Sequence, residues 1–237
     1  IPSSATSLPS LQGCTNLRSV TFAAGSHITV IVASGFSNTG LVSIAIPASV
    51  QHIQNDAFSN CTELTRISFL SGSKISSIGD NAFSGAPITS LTLPQSIKSV
   101  GQIFGTACTT TLTSLLMESS TYLTTLPESF VAGCTGLDLV KFSYNLMVIG
   151  AGAFNGTTSL SSVTLPASLI TISSHAFLNS GLTDISFASG SSLRSIGSSS
   201  FSNCKFTKIT LPATVMSVGA NAFESCIDLN IVQVSCG

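Results

Sequence analysis

The seven cysteines carry the most reactive side chains of this 237-residue sequence, and their spacing indicates what they do. Three of them (Cys61, Cys204 and Cys226) follow a phenylalanine by three residues, and two (Cys108 and Cys134) follow one by four. Cys14 has the equivalent place before the first copy of this pattern, and other copies hold Thr39, Ala86, Thr157 or Ser180 instead. A position that accepts Cys, Thr, Ser or Ala is predicted to be small and buried, with the thiol acting as a small apolar group.

Two disulfides are nevertheless open to this sequence. Cysteines in the same slot of adjacent copies, such as Cys108 and Cys134, would lie about one strand spacing (~4.8 Å) or more apart. Cys236 lies outside the pattern and could pair with Cys226 as a terminal staple.

No residue pattern supports catalysis, a cofactor or a metal. The three histidines, His27, His52 and His175, occupy non-equivalent positions without a second ligand at metal spacing. There is no G-x-S-x-G motif, and the glycines of residues 150–156 miss the dinucleotide fingerprint by one position. Asp56 and Asp80 are too few acids for a calcium site. We therefore expect a protein that is not an enzyme.

Two triplets fit the acceptor sequon for N-linked glycosylation. They are Asn60-Cys61-Thr62 and Asn155-Gly156-Thr157. If the chain is exported from a eukaryotic cell, Asn155 is the better candidate, because we expect Cys61 to be buried.

The composition excludes several classes of partner. Charged residues make up 7% of the chain, and 8 basic against 9 acidic residues give a net charge of −1. A nucleic-acid partner or an anionic lipid surface would need a basic patch. The mean hydropathy is +0.53, but no run approaches the roughly 20 apolar residues that span a bilayer. We expect no nucleic-acid binding and no membrane insertion by this segment.

A short apolar motif of the form L-x-x-I-x-F recurs along the whole chain. Ten copies begin at residues 17, 41, 64, 88, 112, 137, 160, 182, 206 and 229, which are 22 to 25 residues apart. The last two apolar residues of each copy alternate with polar ones, which is typical of a strand with one buried face. The period is that of a leucine-rich repeat.

A return arm follows each predicted strand. It carries a second apolar pair, such as Ile75 and Ile78, then commonly a glycine, for which we expect a tight bend or a positive φ. Nine phenylalanines share one later position and predict a stacked aromatic spine: Phe36, Phe58, Phe83, Phe104, Phe130, Phe154, Phe177, Phe201 and Phe223. Turns with proline after the strand largely alternate with Gly-Ser turns, except across residues 117–150.

These patterns predict one β-rich solenoid domain over residues 1–237, belonging to a longer repeat array. We expect about ten turns, one parallel sheet on one face, and short irregular or 3-10 segments on the return arms. A single turn cannot bury its own apolar edge, so its stability must come from stacking on its neighbours.

One repeat reads C-T-E-L-T-R-I-S-F at residues 61–69 and I-S-S-I-G-D-N-A-F at residues 75–83. This combination resembles the BspA-like, or treponemal-type, leucine-rich repeats, and the likeness covers nearly the whole chain. The resemblance implies a right-handed solenoid in large surface proteins of mucosal bacteria and anaerobic protists, often linked to adhesion to host matrix proteins or to other cells. It therefore implies an extracellular or cell-surface location, and it supplies no catalytic residue.

The outward residues of the strands form two columns along the predicted sheet. Short hydroxyl side chains dominate, but Leu116, Leu139 and Lys141 interrupt them beside an atypical turn that carries Tyr122. These four residues, with the charged column residues Arg66, Asp184 and Lys208, are the predicted binding face. Alternatively, Leu116 and Leu139 only cover a local bend.

Two functions follow from this face. The first is a non-catalytic module that recognises a protein or glycan ligand, with turns five and six, around residues 116–145, as the place of contact. The second is a structural subunit that self-assembles into an extracellular, glycosylated filament or coat.

Overall fold

The computed structural model describes residues 1–105, 108, 111–119 and 121–235, and these residues form a parallel solenoid of about nine turns. Each turn contributes one strand to a front sheet and one to a back sheet. In chain order the strands are β1 Val30–Ile31, β2 Ser43–Ile46, β3 His52–Ile53, β4 Arg66–Phe69, β5 Ser77–Ile78, β6 Ser90–Leu93, β7 Ser99–Val100, β8 Ser114–Met117, β9 Thr125–Leu126, β10 Leu139–Lys141, β11 Val148–Ile149, β12 Ser162–Leu165, β13 Thr171–Ile172, β14 Asp184–Phe187, β15 Ser195–Ile196, β16 Lys208–Leu211, β17 Ser217–Val218 and β18 Ile231–Val234.

The even-numbered strands form the front sheet and confirm the predicted repeat. In β2, Ile44 and Ile46 are buried while Ser43 and Ala45 face solvent, as expected for a period of two. The front strands stack in register, so the outward residues form the two predicted columns. The segment at residues 17–22 contributes only an isolated bridge through Ser19, so the described residues form nine front strands rather than ten.

The return arms consist largely of irregular turns, as expected, and each also carries a two-residue strand of a back sheet that the sequence pattern did not predict. The back sheet runs from β1 to β7 and again from β9 to β17. In every described back strand except β17, the second residue, such as Ile53 or Ile78, is buried. Two residues are too few to show an alternating pattern, so periodicity could not reveal this sheet.

Left-handed residues make the corner around each spine phenylalanine. Asp56 and Asn60, two positions to either side of Phe58, have φ of 57° and 55°. The same flanking positions are left-handed in most other turns, at Ser34, Asn38, Asn81, Gly85, Gly152, Gly156, His175, Asn179, Ser199, Asn203, Asn221 and Ser225. Gly, Asn and Asp enter this region at the lowest cost, which explains their frequency at these corners.

The predicted aromatic spine is present as two stacks. Ring centroids lie 5.3 to 6.1 Å apart from Phe36 to Phe104, and 5.1 to 5.5 Å apart from Phe154 to Phe223. Phe130 between them is fully buried, but no ring pairing joins it to either stack within the described residues. The back sheet is interrupted at the same place, between β7 and β9.

The glycines after the return arms are required by close approach of two turns. None of Gly79, Gly101, Gly150, Gly197 and Gly219 has a positive φ, so that part of the expectation was wrong. A Cβ on Gly150 would lie 2.5 Å from the carbonyl carbon of Pro127 in the preceding turn. Neighbouring back strands can stack at this distance only if the side chain is absent.

The small slot is buried in most turns, as predicted. Cys61, Cys134, Cys204 and Cys226 are buried, whereas Cys14 is exposed because it precedes the first complete turn. Cys108 and Cys134 form a disulfide with a Cα–Cα distance of 5.0 Å. Cys236, which the sequence left open as a partner of Cys226, lies outside the described residues.

Candidate functional site

Hydrogen bonding along the front sheet is interrupted at three places. Among the described residues, no ladder joins β4 to β6, β10 to β12, or β14 to β16, although the back sheet continues across each gap. A cleft opens on the front face at each gap, with volumes of about 490, 520 and 630 Å³ respectively. Volumes of this size accommodate a side chain, a sugar ring or a small ligand.

Proline explains why the hydrogen-bond ladder of the front sheet is interrupted at these three places. In four turns the residue directly after the front strand donates its N–H to the last strand residue of the preceding turn, as Ala188 does to the carbonyl of Leu165 at 3.0 Å. The second strand of each gap is followed instead by a proline, namely Pro94, Pro166 or Pro212. Because proline has no N–H, this closing hydrogen bond cannot form.

A phenylalanine lies opposite the proline in every cleft. Phe69 and Phe187 end the strand on one side and Phe142 directly follows it, while the proline follows the strand on the other side. The gap leaves Phe69 and Phe187 half-buried, whereas Phe142 is 6% exposed. The clefts thus have apolar ends and strand residues as their walls.

The middle cleft differs from the other two in its wall residues. Leu139 and Tyr144 border it with exposed fractions of 52% and 69%, and Lys141 and Asp184 bring one charge of each sign. Both outer clefts carry several hydroxyl groups: Ser68, Ser71, Ser73, Ser90 and Thr92 in one, and Ser186, Ser189, Ser191, Thr210 and Thr214 in the other. The middle cleft combines exposed Leu139 and Tyr144 with two charges of opposite sign. The β4–β6 cleft has exposed Leu70 and a single charge, the Glu118 carboxylate, which accepts the N–H of Gln95.

Exposed large apolar side chains form one group at the same turns and a second group over residues 216–234. Between Leu70 and Met216, the described large apolar residues that are exposed are Tyr122, Leu139, Tyr144 and Met147. The irregular turns hold these residues together, since Tyr144 donates its N–H to the carbonyl of Ser119, and Asn145 Nδ2 donates to the carbonyl of Thr121. The predicted region of turns five and six therefore has a distinct surface.

The structure brings together three of the seven predicted face residues. Leu139, Lys141 and Asp184 border the middle cleft, and half-buried Leu116 pairs with Lys141 across β8 and β10. Tyr122 borders a separate groove that it shares with Met147 and Asn145. The other two, Arg66 on β4 and Lys208 on β16, are exposed but do not line the middle cleft.

Sequence reasoning missed Tyr144. It follows Phe142 by two residues, in a turn where Ser143 replaces the usual proline. An aromatic residue in a corner that elsewhere holds small polar residues was the available signal.

The charged side chains that border the middle cleft are available to bind a polar ligand. No ion pair joins Lys141 and Asp184 to each other or to another described residue. No group of three or more His, Cys, Asp or Glu side chains that could hold a metal occurs in the described part of the chain. Binding here would therefore depend on hydrogen bonds, apolar contact and two unpaired charges.

The two sequons differ in accessibility. Asn60 and Thr62 are both exposed on either side of buried Cys61. Asn155 is half-buried, and Thr157 is fully buried with its hydroxyl donating to the carbonyl of Phe154 at 2.8 Å. Accessibility thus favours Asn60 over Asn155, and use of either sequon stays a prediction.

The repeat and its corners have known counterparts. A family model described as BspA type leucine-rich repeat region matches residues 1–111 and 106–230. The chain belongs to this family. No curated protein matches the chain.

Several solved structures are similar to this chain over most of its length. The pneumococcal vaccine antigen PcpA matches 99% of it at 23% identity, with a TM-score of 0.59. A leucine-rich repeat protein from Bacteroides ovatus matches 100% at 22% identity and a TM-score of 0.52, covering 77% of that protein. The T. pallidum protein TpLRR matches 84% at 20% identity and a TM-score of 0.50, covering 82% of that protein.

The present chain spans 61% of the PcpA chain. At these identities the likeness concerns the fold. The described residues contain no apolar helix of membrane-spanning length.

Proposed function

We propose that this chain is a non-catalytic recognition module, at the cell surface or outside the cell, that binds a protein or glycan ligand at the middle cleft. The observation that carries the proposal is the coincidence of the cleft between β10 and β12 with exposed Leu139 and Tyr144 and with unpaired Lys141 and Asp184. Membership of the BspA-type family supports a binding role. The description of PcpA as a pneumococcal vaccine antigen supports the location.

The wall residues supply complementary contacts. Tyr144 and Leu139 offer an apolar surface, and tyrosine is among the residues that dominate binding energy at interfaces. Lys141 donates and Asp184 accepts hydrogen bonds, and both charges are free to pair with a ligand. Ser162 and Thr164 on β12 add hydroxyl groups between them.

The test uses the whole chain, labelled, on an array of glycans and an array of purified extracellular-matrix proteins. The double variant Leu139→Ser, Lys141→Ser should weaken binding to any captured ligand at least about tenfold, since hot-spot truncations cost about 1–2 kcal/mol each. The melting temperature should change little, because Leu139 is 52% exposed and Lys141 is exposed.

A matched control removes the same kinds of side chain from the same face. Val42 is 44% exposed, and Arg66 lies on β4, away from the middle cleft. The variant Val42→Ser, Arg66→Ser should bind as the wild type does. Equal loss in both double variants, unaltered binding in the first, or no ligand on either array would contradict the proposal.

A further inference from the structure

The small slots of adjacent turns are in direct contact along the solenoid. The thiol of Cys61 lies 3.3 Å from the Thr39 hydroxyl, and the thiol of Cys204 lies 3.2 Å from the Ser180 hydroxyl. In both pairs the later residue sits one turn after the earlier one, in the same slot. Two cysteines in adjacent slots are therefore held at bonding proximity by the backbone.

One such pair is already covalent. Cys108 and Cys134 occupy adjacent slots, and their Cα–Cα distance of 5.0 Å lies within the usual disulfide range of about 4.4–6.8 Å. The slot geometry thus accommodates a disulfide between turns.

Cys204 and Cys226 are a second pair in adjacent slots. Their preceding rings, Phe201 and Phe223, stack at 5.5 Å with planes 4° apart, so the two turns are superposed closely at this corner. The Cys226 thiol donates to the carbonyl of Phe201 at 3.1 Å, as the Cys204 thiol does to the carbonyl one turn earlier at 3.3 Å. Both cysteines are free thiols in the structure.

We propose that Cys204 and Cys226 are a redox modification site, at which exchange with a small disulfide such as oxidised glutathione forms a second disulfide between adjacent turns. The Cys226 thiolate attacks the small disulfide, forms a mixed disulfide and expels one small thiolate. The Cys204 thiolate then attacks the Cys226 sulfur and expels the second. The two protons lost by the cysteines go to the two leaving thiolates, so two protein thiols are oxidised and one small disulfide is reduced to two thiols.

The folded chain controls when this reaction occurs. Cys204 is 2% and Cys226 9% exposed, and burial raises the pKa of both thiols, so the reactive thiolates are scarce in the closed state. The final front strand is less protected, since Val232 and Val234 are 56% and 65% exposed. Opening of this last turn is the route by which an oxidant reaches Cys226.

The experiment oxidises the reduced full chain with glutathione disulfide, with and without a urea concentration below the unfolding transition. Remaining thiols are then alkylated and the disulfides are mapped by peptide mass spectrometry. We expect a link between the Cys204 and Cys226 peptides in addition to the Cys108–Cys134 link, forming faster in urea. The link should also raise the melting temperature of the wild type relative to a chain with only the first disulfide.

Two serine variants make the outcome decisive. Serine is tolerated in this slot, as Ser180 shows. In Cys226→Ser the melting temperature should not respond to the second oxidation step, whereas Cys236→Ser should still form the link. A Cys226–Cys236 link, separate glutathione adducts on Cys204 and Cys226, or free thiols at both positions while Cys108–Cys134 is oxidised would each overturn the proposal.

Discussion

Replacing Gly197 by alanine tests whether the back-sheet glycines are fixed by contact between turns. Gly197 donates its N–H to the carbonyl of Ile172 at 2.7 Å. A Cβ at Gly197 would lie 2.5 Å from the carbonyl carbon of Ser173 and 2.9 Å from its oxygen. Both atoms belong to the backbone, so the two turns must separate to admit a methyl group.

Two contributions determine how far the free energy of unfolding should fall in Gly197→Ala. Overpacking a close contact costs about 1–3 kcal/mol, and loss or weakening of the hydrogen bond to Ile172 adds about 1 kcal/mol. The free energy of unfolding of Gly197→Ala should therefore fall by about 2–4 kcal/mol. Gly190 is the matched control, because its φ is +74° and no atom lies within 4 Å of a Cβ placed there. Its replacement by alanine meets only the left-handed penalty of about 1–2 kcal/mol.

Urea unfolding followed by far-ultraviolet circular dichroism measures the loss of stability in both alanine variants. Asparagine variants at the same positions distinguish steric overlap at Gly197 from the left-handed backbone at Gly190. Asparagine adopts the left-handed region at corners such as Asn60 and Asn203, so Gly190→Asn should recover part of the loss seen with alanine. Gly197→Asn should be at least as destabilised as Gly197→Ala, since its side chain is larger. A Gly197→Ala variant within about 1 kcal/mol of wild type, or rescue by asparagine at Gly197, would refute the close-approach explanation.

The proline account of the clefts and the burial of the thiols give two further predictions. Pro166→Ala introduces an N–H that can donate to the carbonyl of Phe142. Hydrogen exchange at this new amide should therefore be slow, and ligand binding at the middle cleft should be weaker. Fast exchange at this amide would contradict the proline explanation of the clefts. Burial raises the pKa of Cys204 from 9.0 to about 12, so the folded state of the reduced protein favours the protonated thiol. The free energy of unfolding should be unaffected by this group below pH 9, then fall by up to about 1.4 kcal/mol per pH unit towards pH 12, and fall less in Cys204→Ser. Parallel pH curves for the two proteins would show that this thiol is not responsible.

The front sheet was predictable because its strands are long enough to show their period. Ile44 and Ile46 alternate with outward residues, and ten repetitions of that pattern fix the repeat length. The back sheet was not predictable in this way, since a pair such as Ser77 and Ile78 has no period. Its strands form because each turn places them in register with the strand of the next turn.

The candidate site shows the same division between local and non-local information. Leu139 and Lys141 were identifiable as breaks in a hydroxyl column, which is a local property of the sequence. The cleft beside them depends on Pro166 facing Phe142 of the preceding turn, a relation that appears only when the turns are stacked. Asp184 borders the cleft from β14, on the side of β12, so sequence spacing alone could not group it with Leu139.

The solenoid also explains why recognition can be confined to one region. Each turn is stabilised by burying its inward residues against its neighbours, so an outward residue such as Leu139 contributes little to folding. The scaffold requires neither an exposed leucine nor an exposed tyrosine there, since most other turns place serine or threonine at the outward positions of the same sheet. Keeping Leu139 and Tyr144 on the surface exposes apolar area to water without benefit to the fold. Under the proposed function a ligand covers this area, and the middle turns are then the part of the surface that confers specificity.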